Sequence, residues 1–131
     1  MGLFDKFKKN DNIFNCMVYD NELDAYTIEI KDIIFESEEE QNEDYINNLN
    51  RIADNYRNAL NSIIEFMMPD LKLVYGELDP KLVKAKLGKP TIDYDNGIVK
   101  YLKQSFDDVH IFIFEFLDDD FQDLQYFSID G

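Results

Sequence analysis

What this chain has little of excludes more than what it contains. It has one cysteine, Cys16, in 131 residues, which excludes an internal disulfide and any zinc site built from several thiolates. Cys16 falls in the apolar run Ile13–Tyr19, so a buried structural thiol is the expectation. There is one histidine, His110, and no tryptophan. A cysteine–histidine nucleophilic pair would need Cys16 and His110 side by side. The spacing of His110 from Phe112, Phe114 and Phe116 predicts instead a packed or edge residue of a strand. Five glycines and three prolines fall at turn positions, so no glycine-rich phosphate loop and no low-complexity linker is present. No apolar run approaches the ~20 residues of a membrane span, and residues 1–10 give no expectation of a secretory leader. A cytoplasmic protein is expected.

Positive charge is also scarce. Thirteen Lys and Arg stand against twenty-eight Asp and Glu, a net charge of −15, and the imbalance is uneven. Met1–Asn10 carries +2, Asp11–Asp70 carries −12, Leu71–Gln104 carries +3, and Ser105–Gly131 carries −8 with no base at all. Such a field repels nucleic acid and anionic membranes and draws basic surfaces in, faster at low salt. Core material is nevertheless plentiful. The chain is 45% hydrophobic with eleven Phe and eight Tyr, so disorder of the high-charge, low-hydrophobicity kind is excluded for the body. The length suits one domain, residues 11–131, preceded by an amphipathic segment, residues 1–10. There Leu3, Phe4 and Phe7 share a face ringed by lysines, which predicts a short helix that docks on the domain or frays, in preference to a membrane-surface or partner-binding tag.

Periodicity then places the elements. Ile13–Asp20 and Ala25–Glu36 read as two strands around the polar tetrad Asn21–Asp24. An acidic loop, Ser37–Glu40, leads into a helix from about Asp44 to Met67. Its apolar stripe runs from Ile46 through Leu49, Ile52, Tyr56 and Ile63 to Met67, and Pro69 is expected to stop it. Asp79-Pro80 and Gly88 bracket a short helix with Lys81, Lys84 and Lys86 on its outer side. Thr91–Tyr94 and Ile98–Lys103 flank Asn96-Gly97, a strong hairpin signal. Val109–Leu117, apolar on both faces, predicts a central strand, and Leu124–Asp130 returns after a turn at Asp118–Asp123. The fold class is therefore α+β, an antiparallel sheet of five to six strands with one long helix packed on one face.

Chemistry-bearing patterns are few. Asp118, Asp119, Asp120 and Asp123 invite a calcium loop, but the sixth and twelfth places hold Asp123 and Ile129 where Gly and Glu are required. No cofactor and no catalytic set are expected. Lys81, Lys84, Lys86 and Lys89 could touch a phosphate or an acidic patch, though a solubilising helix face is the simpler reading. The acidic loops are the best candidate site: Glu38, Glu39, Glu40, Asp107, Asp108, Asp118, Asp119, Asp120 and Asp123, with Phe106 or Phe121 as exposed aromatic anchors.

Gly76–Gly131 also resembles a group of small bacterial domains of unknown function that are similar to immunity proteins found beside polymorphic toxins. The residues that carry the resemblance are Asp79-Pro80, Leu87-Gly88-Lys89-Pro90, Asn96-Gly97, Val99, Tyr101, His110-Ile111-Phe112 and Ser128-Ile129-Asp130-Gly131. The resemblance implies an α+β domain with a protective binding role. The expected function is a non-enzymatic inhibitor that captures a basic protein partner, a toxin among the candidates. The alternatives are a small-ligand or divalent-cation-binding domain, or a mimic of nucleic acid. A homodimer through the open face of the sheet is compatible with all of these.

Overall fold

A computed structural model describes residues 16–131, so the segment 1–10 and the residues 13–15 assigned to the first strand lie outside the described residues. The order of elements is β1 (Val18–Asp20), β2 (Ala25–Ile30), β3 (Ile33–Ser37), α1 (Glu43–Tyr75), α2 (Pro80–Leu87), β4 (Thr91–Asp93), β5 (Ile98–Tyr101), β6 (Ile111–Phe116) and β7 (Leu124–Asp130). The strands form one sheet in sequence order, β1 to β7. Every pairing is antiparallel except β3 with β4, which run parallel because both helices are spent on the crossover between them. Two meanders, β1–β3 and β4–β7, are thus joined at the centre. The fold is α+β as expected, with seven strands in place of five or six.

The additional strand comes from Ala25–Glu36, which is a hairpin and not one strand. Lys31 and Asp32 both adopt left-handed backbone (φ 52° and 64°) and turn the chain within two residues, with Ile30 paired to Ile33. That is the geometry of a tight hairpin, built here without the Asn-Gly signature that normally announces it. Asn96-Gly97 does mark a turn, between Asp93 and Ile98.

Helix α1 also exceeds its expected length. It begins where Asn42 accepts the backbone N–H of Tyr45 at 2.9 Å and runs past Pro69 to Gly76, whose N–H reaches the Lys72 carbonyl at 2.9 Å. Pro69 deletes one backbone hydrogen bond and crowds the preceding turn, at a cost of about 3 kcal/mol in a helix interior. Two facts offset it. Pro69 lies on the exposed side, where water can serve the freed carbonyl, and the buried stripe continues through Met67 and Leu71. Packing outweighs local propensity, and the helix reaches roughly 50 Å at 1.5 Å per residue.

One face of the sheet meets α1. Phe35, Ile92, Val99 and Phe114 form a cross-strand row on it, and each is at most 1% exposed. Tyr56 of α1 and Tyr101 of β5, both buried, share a hydrogen bond between their hydroxyls, so neither polar tip is stranded in the core. Burial holds both phenols above their ordinary pKa. The opposite face is not the second apolar layer that Val109–Leu117 suggests. Ile111 and Ile113 point there, but Ile113 shares its row with Ile34, Thr91, Lys100 and Ser128. In the adjoining row Glu36 pairs with Lys100 at 2.6 Å. Whether a face is apolar is decided by neighbours across strands, not by one strand's own sequence.

Candidate functional site

The pairing directions decide which loops meet. β3, β4 and β6 all point one way, so three connections emerge at one end of the sheet: Glu38–Glu40 after β3, residues 94–97 after β4, and Asp118–Asp123 after β6. The β1–β2 turn, with Asp20, Glu22 and Asp24, and the N-terminus of α1, with Glu43 and Asp44, open at the same end. Acidic segments far apart in sequence therefore converge. The β5–β6 loop, bearing Asp107 and Asp108, lies at the other end, with the C-terminus of α1. The candidate residues thus separate into two groups, with Glu38–Glu40, Asp118–Asp120 and Asp123 together and Asp107 and Asp108 apart.

Local hydrogen bonds shape this end. Ser37 Oγ accepts the Glu39 N–H at 3.3 Å and the Gln41 side-chain amide at 3.0 Å, bending the chain toward α1. Asp93 holds the 94–97 turn by accepting from Asn96. Asp118 Oδ1 accepts the N–H groups of Gln122 and Asp123, both at 2.9 Å. Asp119 takes Arg51 at 2.9 Å and the Tyr94 hydroxyl at 3.1 Å. Asp118 and Asp119 are thus structural acceptors as well as charges. Glu38, Glu39, Glu40, Asp120 and Asp123 are exposed, and among the described residues their carboxylates hold no ion pair.

Three residues outside the sequence-derived set, Tyr45, Tyr94 and Asp95, complete the surface. Tyr45 of α1 donates its hydroxyl to Asp95 at 2.8 Å and meets the Tyr94 ring edge-on at 6.2 Å. Burial, then the bond to Asp95, holds the Tyr45 phenol well above its ordinary range. The turn 94–97 forms a ridge between two hollows. One, of about 450 Å³, is bordered by Tyr94, Phe116, Leu117 and Asp118, and the other, of about 200 Å³, by Ser37, Glu38, Glu39 and Asp93. No sequence signal could have singled out Tyr45, since its partner Asp95 is fifty residues away.

Phe121 is not the exposed aromatic that its acidic loop suggests. It is 0% exposed, packed 4.6 Å from the Phe116 ring and 5.6 Å from Tyr56. Its left-handed backbone (φ 57°) folds the Asp118–Asp123 turn back over the core, so it is a core residue and not an anchor for a partner. Phe106 is half-buried against Tyr75 and Phe112.

Asp107 is also tied inward. Its carboxylate accepts from the Tyr75 hydroxyl at 2.5 Å, His110 Nδ1 at 2.7 Å, and the N–H groups of Val109 and His110. Gln104 completes the loop by donating to the His110 carbonyl at 2.6 Å. The Tyr75 bond above all, then those from His110 and Val109, holds the Asp107 carboxyl far below the usual range. A carboxyl depressed in the folded state adds stability above its unfolded pKa, near 3.8, and loses it as pH falls through the folded value. Asp107→Asn is therefore expected to lower the melting temperature at neutral pH, with the gap to wild type closing as pH drops below about 4. A gap that stays constant through acid in paired thermal melts would contradict this role.

Cys16 and His110 are not a catalytic pair. Cys16 is exposed rather than buried and adjoins β1, whereas His110 precedes β6, five strand spacings or roughly 24 Å across the sheet. Among the described residues, no cluster of His, Cys, Asp and Glu is suited to hold a metal ion, and no helix is long and apolar enough to cross a membrane.

These features define an α+β protein with one strongly acidic end. No protein-family model matches the chain, and neither a curated protein nor a solved structure matches it.

Proposed function

We propose that the chain is a non-enzymatic binding protein of the immunity type, which captures a more basic partner protein on the acidic end of its sheet. The observation that carries this reading is the convergence there of Glu38–Glu40, the 94–97 turn and Asp118–Asp123, with the exposed carboxylates of Glu38, Glu39, Glu40, Asp120 and Asp123 left without cationic partners among the described residues. Like charges crowded at one end repel one another, and a basic surface relieves that repulsion as it docks. The hollows beside the turn offer places for lysine or arginine side chains, with Tyr94 giving an apolar wall. Capture of this kind is fast and salt-sensitive, and occlusion of the partner's surface supplies the inhibition.

The test compares wild type with a variant carrying Glu38→Lys, Glu39→Lys, Glu40→Lys, Asp120→Lys and Asp123→Lys, both shown by thermal melt to be folded. Each serves as bait for proteins of the native host at low and high salt. Wild type is expected to hold one basic protein stoichiometrically, and the variant to associate with it at least about tenfold more slowly at low salt. The difference should shrink at high salt. Equal retention of that protein by both baits at low salt would overturn the reading.

A further inference from the structure

The other end of the molecule carries a feature of opposite character. Between the β2–β3 turn, the middle of α1 and the end of α2 lies a cleft of about 490 Å³, within the range of small-molecule sites. Its apolar wall is formed by Ile33, Tyr56, Leu60, Leu87 and Pro90, of which Ile33, Tyr56 and Leu87 belong to the buried core. Lys31, Arg57, Lys84 and Lys89 border it, with Asp32 as the one acid among the residues that line it. In a chain of net charge −15, that is a local reversal of sign.

The four cations are not equivalent. Lys31 is committed to Asp54 at 2.6 Å and Lys89 to Glu29 at 2.9 Å. Arg57 and Lys84 have no acid partner among the described residues. They come from different helices, α1 and α2, and border one apolar hollow. A guanidinium presents a planar fork that matches the oxygens of a carboxylate or phosphate, and an ammonium beside it adds a second charge-assisted bond. We infer that this cleft binds a small amphiphilic organic anion, its apolar body against Ile33, Leu60 and Leu87 and its carboxylate or phosphate head between Arg57 and Lys84. A neutral apolar molecule would leave the two cations unused, and a small inorganic anion would leave the apolar wall wet. The occupant must carry both parts. This inference is independent of the acidic end, which is a separate surface.

Calorimetric titration tests it with two probes, decanoate and 1-naphthyl phosphate, which separate a carboxylate from a phosphate head. Decanol supplies the body without the charge, and acetate the charge without the body. At least one probe is expected to bind saturably at one site, with neither control binding. The double variant Arg57→Gln/Lys84→Gln alters two exposed side chains and is expected to keep the fold, while weakening that probe roughly tenfold or more. Ala85→Phe, which fills the cleft from α2, should also abolish binding. Failure of both probes to bind overturns the proposal. So does binding unchanged in both variants, or decanol binding as tightly as decanoate. The bait experiment at the acidic end reads none of these outcomes, so either proposal can fail alone.

Discussion

Phe114→Ala is expected to lower the free energy of unfolding by about 3–5 kcal/mol, the range for removing a buried aromatic ring from a packed core. Phe114 is 0% exposed and pairs with Val99 in the row that faces α1. Its ring meets Phe66 of the helix edge-on at 5.8 Å and Tyr101 at 6.3 Å. Alanine would open a cavity that β6, held between β5 and β7, cannot close by moving. A domain of this size has roughly 5–15 kcal/mol of total stability, so the variant would stand near the edge of folding. Its melting temperature should drop by about 10–20 °C. Leu73→Ala is the matched control. Leu73 is also apolar but 85% exposed on α1, and its loss should change stability by no more than about 0.5 kcal/mol. Chemical denaturation of the two variants checks the pair, and similar losses in both would mean that the core does not run through β6.

The second large effect lies at the 94–97 turn. Gly97 has left-handed backbone (φ +67°), and a Cβ there would stand 2.7 Å from the Phe116 carbonyl oxygen. That oxygen belongs to the neighbouring strand backbone and cannot rotate away. The Phe116 N–H is simultaneously bonded to the Gly97 carbonyl at 2.9 Å, so relief of the clash would pull the ladder apart. Gly97→Ala should therefore exceed the roughly 1–2 kcal/mol cost of left-handed backbone alone. Gly76 offers a positive-φ comparison without the clash, since its φ of 83° and ψ of −158° strain any other residue but a Cβ would meet nothing within 4 Å. Gly76→Ala is expected to destabilise by about 1–3 kcal/mol from backbone strain alone, and Gly97→Ala, which adds the clash with β6, by more. Equal losses in denaturant titrations would show that the close approach of Gly97 to β6 carries no energy. The turn also holds the ridge between the two acidic hollows, so Gly97→Ala should disturb the proposed docking surface as well.

Much of the architecture was legible in residue patterns because those patterns are local. The alternation of Phe112, Phe114 and Phe116, the cap and stop at Asp79-Pro80 and Gly88, and Asn96-Gly97 each report backbone geometry within a few residues. The misreadings share a physical cause. Lys31-Asp32 forms a hairpin turn without a glycine because the paired apolar residues of β2 and β3 require it. Pro69 lies inside a helix because buried Met67 and Leu71 outweigh one lost hydrogen bond. Phe121 looks like an exposed ring in an acidic loop and is core, because its left-handed backbone turns it inward. In each case contacts distant in sequence overrode the local preference.

Composition and local patterning by themselves determined the acidic charge, the apolar stripe of α1, the turn at Asn96-Gly97 and the α+β class, since each depends on residue identity and short-range spacing. Which charges act together was decided only by tertiary structure. The parallel pairing of β3 with β4 sends Glu38–Glu40 and Asp118–Asp123 to the same end, while the antiparallel return from β5 to β6 leaves Asp107 at the opposite end, where Tyr75 and His110 hold its carboxylate. The pairing of Arg57 with Lys84 across one apolar cleft arises in the same way, from two helices whose packing no short window of sequence encodes. Charge is a property of residues, but an electrostatic site is a property of distances, and only the folded chain sets those.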